Sequence, residues 1–264
     1  MKRVLMTILA AVLLVTVATA QSLNFQTFTD SVGVKLKGVP ISSQVEVAFP
    51  VSGPATLVNA LKKAYSERYE IPVSDIKDGK TFANKLANKN VAQLKKQFTE
   101  DFDEDSNIPE LYINDKVTMS YETDKLLTIV YGGDVFYGGA HGDYFGCGIT
   151  YRKSDGKAFG TYDILDEDAW EQIQDKVAAS LREYFQVDSN SELADELMGD
   201  GIICNGNDFY IPMPDAQPFV DNGNLFFVYG TYEIAPFAAG MPEVSIPLKD
   251  IQQYLKAEFK ALVK

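Results

Sequence analysis

The stretches Leu126-Leu127-Thr128-Ile129-Val130-Tyr131, Tyr137-Gly138-Gly139-Ala140-His141-Gly142 and Gly148-Ile149-Thr150-Tyr151-Arg152 follow one another along the chain. Two runs rich in β-branched and aromatic residues thus flank a glycine-rich connection that carries the only histidine of the protein. Runs of this composition read as strands. Glycine alone reaches positive φ and close backbone approach without steric cost, so the connection reads first as a tight backbone feature.

Upstream, residues 112–121 continue the β pattern, and residues 23–37 and 44–49 alternate apolar and polar positions as strands do. Helical spacing lies between them. Leu57, Val58, Leu61, Ala64 and Tyr65 form one apolar face behind Pro54, which the start of a helix tolerates. Phe82, Leu86, Leu94, Phe98 and Phe102 fall at multiples of four and form a second face. Both are core stripes.

Downstream, Asp155-Gly156 marks a tight turn. Trp170, Ile173, Val177, Leu181 and Tyr184 share one helical face, with Asp166 as its N-cap, and a short helix is expected near residues 191–198. Asn222-Gly223 signals a turn before a strand at residues 225–229. A further strand lies near residues 244–246, and a terminal helix is expected to bury Ile251, Leu255, Phe259 and Leu262. The pattern predicts an α+β fold, an antiparallel sheet with helices packed mainly on one face. Two halves, residues 21–155 and 156–264, are expected to form one composite unit.

The chain has 264 residues, 46% hydrophobic and 23% charged, which is globular usage. Its formal charge of -13 argues against nucleic acid as a partner and favours a basic protein, although acidity also serves solubility alone. Residues 1–20 read as a cleaved secretory signal: Lys2 and Arg3, an apolar run from Val4 to Val17, then Ala18-Thr19-Ala20. The apolar run is shorter than the roughly 20 residues of a spanning helix. The mature protein is therefore expected to be exported, periplasmic or extracellular, without a membrane span, and more acidic by two charges. Export permits a disulfide between Cys147 and Cys204, and the sequence leaves open whether the two thiols are joined.

Candidate chemistry is sparse. Asp101, Asp103, Asp105 and Asn107 alternate like a calcium loop, but Ser106 and Tyr112 stand where that loop needs glycine and a bidentate glutamate. A solvated acidic loop is the better reading. His141 has no second histidine to complete a zinc site, and no Gly-x-Ser-x-Gly sequence supplies a nucleophile. It reads first as structural, its ring bonded to backbone in a turn. Glu233, flanked by Tyr232, Ile234 and Pro236, reads as an acceptor for loop amides. The alternative is an acid or base of a hydrolase, a role open also to Asp143. No metal site, catalytic residue or cofactor is assigned.

Three segments carry a resemblance. Tyr137-Gly138-Gly139-Ala140-His141-Gly142 is the first. Asp155-Gly156-Lys157 leading to Tyr162-Asp163-Ile164-Leu165 is the second. Tyr232-Glu233-Ile234-Ala235-Pro236-Phe237-Ala238-Ala239-Gly240, with Pro242-Glu243-Val244-Ser245-Ile246-Pro247, is the third. They resemble the extracytoplasmic domain of the RsiV anti-sigma factors, a domain similar to one that stands beside the deacetylase domain of PdaC-type peptidoglycan deacetylases. The N-terminal half is accordingly PdaC-like and the C-terminal half RsiV-like. The resemblance implies a domain that binds lysozyme. The transmembrane and sigma-binding parts of the RsiV proteins, and the metal-bearing deacetylase domain, have no counterpart in these residues.

Two functions follow as expectations. The first is a non-catalytic exported module that recognises a cell-wall hydrolase such as lysozyme, or peptidoglycan itself. Its binding residues would be Tyr137, Gly138, Gly139, His141, Tyr232, Glu233 and Phe237. The second is an envelope-polymer hydrolase using Glu233 or Asp143. If the two motifs matter mainly as shape, Gly139→Val should distort the domain and His141→Ala should be mild.

Overall fold

A computed structural model describes residues 22–102, 108–205 and 208–264. The leader assigned to residues 1–20 and the acidic positions Asp103, Asp105 and Asn107 lie outside the described residues. Strands β1 (Asn24–Leu36) and β2 (Val39–Ser52) form a long hairpin, and Lys37 and Gly38, both at positive φ, make its turn. Helices α1 (Ala55–Tyr69) and α2 (Gly79–Asp101) follow. Then come β3 (Leu111–Glu122), β4 (Leu126–Phe136) and β5 (Asp143–Arg152), an antiparallel meander.

The sheet order is β1-β2-β3-β4-β5. Its one parallel joint is β2 against β3, from Ile41 opposite Leu111 to Val47 opposite Val117. Antiparallel neighbours can be joined by tight turns, whereas a parallel pair needs a long crossover. Here α1 and α2 supply it. They cover one face of the sheet: Leu57, Leu61 and Tyr65 of α1 and Phe82 and Leu86 of α2 pack on Val45, Val47, Val117, Ile129 and Tyr131. Farther along α2, Val91, Leu94 and Phe98 close a second cluster with Ile41, Leu111, Ile113 and Val135.

The remainder of the chain builds another core. Helices α3 (Thr161–Ile164), α4 (Ala169–Gln172), α5 (Gln174–Phe185) and α6 (Asn190–Glu196) precede a small ribbon, β6 (Ile203–Asn205) with β7 (Asp208–Tyr210). Strands β8 (Phe219–Asp221), β9 (Asn224–Val228) and β10 (Glu243–Pro247) form an antiparallel sheet, and α7 (Ala257–Lys260) ends the chain. Asn222 and Gly223 make the β8–β9 turn at positive φ, as the Asn-Gly signal predicts. Trp170 lies against Phe227, and Val177, Leu181, Val244 and Ile246 fill the space between α5 and the sheet.

β8 lies on the opposite face of the large sheet. Thr128 Oγ1 donates to the Val220 carbonyl at 2.6 Å, Val220 N–H donates to Thr150 Oγ1 at 2.8 Å, and the two hydroxyls lie 2.9 Å apart. Both threonines are fully buried. Gly148 leaves room there for Phe219, whose ring atoms come within 2.2 Å of where a Cβ would stand.

Some expectations need correction. The helix predicted across Trp170 and Tyr184 is broken at Ile173, which separates α4 from α5. Tyr184 faces out and donates its hydroxyl to the Ala239 carbonyl. The cap position before α4 is held by Asp168 rather than Asp166. Phe102 lies past the end of α2 in extended backbone. The terminal helix spans only Ala257–Lys260, although Ile251, Leu255 and Phe259 are buried as expected. The question left open for Cys147 and Cys204 is answered here: both thiols are free. Among the described residues, no helix is long and apolar enough to cross a membrane.

Candidate functional site

The loop between β4 and β5 places His141 at the surface. Its Nδ1 lies 2.7 Å from the Gly142 carbonyl, an acceptor, so Nδ1 carries the proton and Nε2 is left as an acceptor. The Tyr232 hydroxyl donates to Nε2 at 3.3 Å. The imidazole also stacks on Phe237, with ring centroids 3.8 Å apart. Tyr144, at the start of β5, lies 6.4 Å from Phe237 in near-parallel orientation. Tyr144 and Tyr232 are each 55% exposed, so this is a surface cluster of rings and not a core.

Gly138 gives the first loop its path. Its φ is +87°, and a Cβ would stand 2.9 Å from the Phe102 ring and 3.2 Å from Leu111. Gly139, by contrast, has its nearest outside atom at 4.0 Å. The expectation that Gly139→Val would distort the domain is therefore corrected: the constrained glycine is Gly138.

The second loop is held by Glu233. One carboxylate oxygen accepts from Gly230 N–H at 2.6 Å and the other from Asp215 N–H at 2.8 Å. Tyr232 sits at φ 65°, and Gly240, also at positive φ, ends the turn that carries Phe237. A bond from Thr231 Oγ1 to Asp143 Oδ1, 2.7 Å long, ties the two loops together. The same Asp143 oxygen accepts from Tyr144 N–H at 2.8 Å. Both acids considered for hydrolysis thus serve as acceptors that shape loops.

The structure brings His141, Tyr232 and Phe237 together and uses Glu233 to hold their loop. Tyr137 points elsewhere, into a cavity near Asp115; burial, then the nearby Asp115 and Asp143, push its hydroxyl above the ordinary tyrosine value. Gly138 and Gly139 shape or extend the loop without joining the ring cluster. Sequence reasoning missed Tyr144 and Thr231. Tyr144 lies two residues past the quoted loop, in a strand that begins at Asp143 and not at Gly148 as the pattern suggested. A surface hollow of about 470 Å³ adjoins the cluster, between Tyr144, Gly146, Asp215, Thr231 and Glu233. Among the described residues, no group of three or more His, Cys, Asp or Glu side chains is placed to hold a metal ion.

Residues 162–249 match the model of a family described as a protein of unknown function, DUF3298. That segment contains the Tyr232 and Phe237 side of the cluster; the His141 side precedes it. The chain is similar in fold to a solved DUF3298 family member from Bacteroides fragilis. The TM-score is 0.72 and the identity 18%, covering 93% of this chain and 98% of that one. A DUF3298 family protein from Pseudomonas aeruginosa is similar at TM-score 0.60 and 15% identity, covering 90% and 96%. At such identities the likeness concerns the fold alone. No curated protein matches the sequence.

Proposed function

We propose that this protein is an exported, non-catalytic binding module that recognises a basic cell-wall hydrolase of the lysozyme kind through the surface built on His141, Tyr144, Tyr232 and Phe237. The observation that carries the reading is the convergence of these rings from two loops onto one exposed patch, pinned by Asp143 to Thr231 and by Glu233 to two backbone amides. Rigid, half-buried aromatic side chains are the usual anchors of protein interfaces, because they bury much area for little lost rotamer freedom. The net charge of -13 supplies attraction for a basic partner. The resemblance to the RsiV domain supports the same partner. Peptidoglycan is the second reading, favoured by the hollow beside the rings.

The test is binding of the mature protein to lysozyme and to an unrelated protein of similar positive charge, at about 0.1 M and 1 M salt, where the Debye length shortens from about 10 Å to about 3 Å. Lysozyme binding should slow with salt yet persist, and Phe237→Ala or Tyr232→Ala should weaken it about tenfold or more. Equal binding of the two basic proteins, vanishing together at high salt, would leave acidity as the whole explanation.

A further inference from the structure

The two faces of the large sheet treat their acids differently. Under α2, Asn90 Nδ2 donates to Ser43 Oγ at 3.0 Å and to the buried carboxyl of Asp115 at 2.7 Å, so that acid is answered from within the chain. The opposite face carries the hollow beside Tyr144 and Tyr232, which Asp215 and Glu233 also line. Each oxygen of Glu233 takes one backbone N–H. The Asp215 side chain is exposed and has no hydrogen bond or ion pair among the described residues. Among those residues, no lysine or arginine lines the hollow. The cations that lie over rings elsewhere, Lys62, Arg68, Arg152 and Lys157, do so on Phe49, Tyr131 and Phe159, and not on Tyr144 or Tyr232.

The floor of the hollow is bare. Gly146 lies inside β5, directly opposite Gly132 of β4, in a pairing without a register shift. A glycine inside a strand weakens it, and marks a bulge, a sharp bend, or a place where another backbone or a ligand comes close. Gly148, two residues on, is explained by the Phe219 ring. Gly146 has no such neighbour: a Cβ there would meet Met241 at 3.6 Å and the Tyr131 carbonyl at 3.7 Å, both ordinary contacts. Its φ lies outside the left-handed region. Packing and backbone would both accept a side chain at this position, and what its absence preserves is open space beside Met241, which lines the same hollow.

A guanidinium suits such a lining. It is planar and weakly hydrated, it stacks on aromatic rings, and it pairs with a carboxylate through two parallel bonds, whereas an ammonium acts as a strongly hydrated point charge. We propose that the hollow receives an arginine side chain of the basic partner, its guanidinium bonded to the Asp215 carboxylate beside the Tyr144 and Tyr232 rings, over the floor at Gly146. The inference rests on the function proposed above and adds to it the anchor that the partner must carry.

The experiment titrates the uniformly ¹⁵N-labelled mature protein with ethylguanidinium chloride, with propylammonium chloride and with uncharged ethylurea, at constant ionic strength. Saturable shifts are expected at the amides of Gly146, Ala216, Thr231 and Tyr232 with ethylguanidinium, with about threefold or more weaker binding of propylammonium and no saturable shifts with ethylurea. Asp215→Asn keeps the amide that Glu233 accepts from, and should weaken binding of both ethylguanidinium and lysozyme about fivefold or more. Gly146→Val fills the floor and should abolish binding of ethylguanidinium. Saturation by ethylguanidinium without any binding of lysozyme would support the hollow as a guanidinium site while failing the lysozyme reading. The inference is overturned by the absence of saturable shifts with ethylguanidinium, by equal shifts with ethylurea, by propylammonium binding as tightly, by an Asp215→Asn variant that binds ethylguanidinium as the parent does, or by lysozyme binding that neither substitution weakens.

Discussion

The imidazole of His141 lies nearly flat against the ring of Phe237, their planes inclined by 26°, although the two residues belong to loops on opposite sides of the α4–α5 helical segment in sequence. Phe237 supplies the larger apolar face and His141 a polar edge. Truncating the phenylalanine should therefore cost more. We expect Phe237→Ala to lose about 1–2 kcal/mol, less than the 1.5–3 kcal/mol of a fully buried ring, and His141→Ala to lose under about 1 kcal/mol. Thermal melts of both variants decide this, and a larger loss for the histidine variant would contradict it.

The neighbouring glycines should behave differently. Gly138→Val must place a branched side chain at φ +87° and against Phe102, at about 1–3 kcal/mol or more for the backbone alone. Gly139→Val meets open space and should melt close to the parent protein. Equal melting temperatures for the two variants would refute the assignment.

The seam between the two cores rests on Thr128, Thr150 and the backbone of Val220. Thr150→Val removes the acceptor of a buried N–H and one partner of Thr128, and should cost about 1–3 kcal/mol in urea unfolding. Because Thr128→Val breaks bonds in the same network, the double variant should lose less than the sum of the single losses. Simple additivity would mean that the two hydroxyls act independently.

Asp115 gives a prediction with a definite sign. Its folded value is raised above the ordinary 3.8, so its contribution to stability is complete below that pH and is lost as pH rises through the raised value. Asp115→Asn keeps an oxygen to accept from Asn90 and carries no charge. It should be more stable than the parent at pH 7, with the difference fading toward pH 4. Melts across that window would expose the opposite trend.

Much of the fold was legible because local pattern and final packing agree. Leu57, Leu61 and Tyr65 on α1, with Ala64 beside them, and Phe82, Leu86, Leu94 and Phe98 on α2 do face the sheet, while Val58 of the α1 stripe stays outside the cluster. The one interruption in the α2 series, Asn90, is the residue that reaches Asp115, and a polar residue inside an apolar stripe was a signal open to use. Other features were not readable. The break at Ile173 divides a single continuous apolar face, so periodicity carries no trace of it. The Thr231–Asp143 bond and the stacking of His141 on Phe237 depend on how two distant loops meet, which one sequence does not encode locally. The motif at residues 137–142 pointed to the right neighbourhood, yet its tyrosine serves a different cavity from its histidine.

The parallel joint of β2 with β3 also bears on the order in which the chain assembles. The β1–β2 hairpin and the β3–β4–β5 meander each join neighbours in sequence, and contacts of that kind close quickly. Gln44 and Asn114, which meet across the parallel joint, are 70 residues apart, and their meeting bears the entropy of closing a long loop before the burial under α1 and α2 compensates it. Until that closure, β2 and β3 are two unprotected strand edges, open to pairing with another chain. Closing the parallel joint therefore removes both edges in a single step, and the helices that make the connection cover the sheet once it is closed.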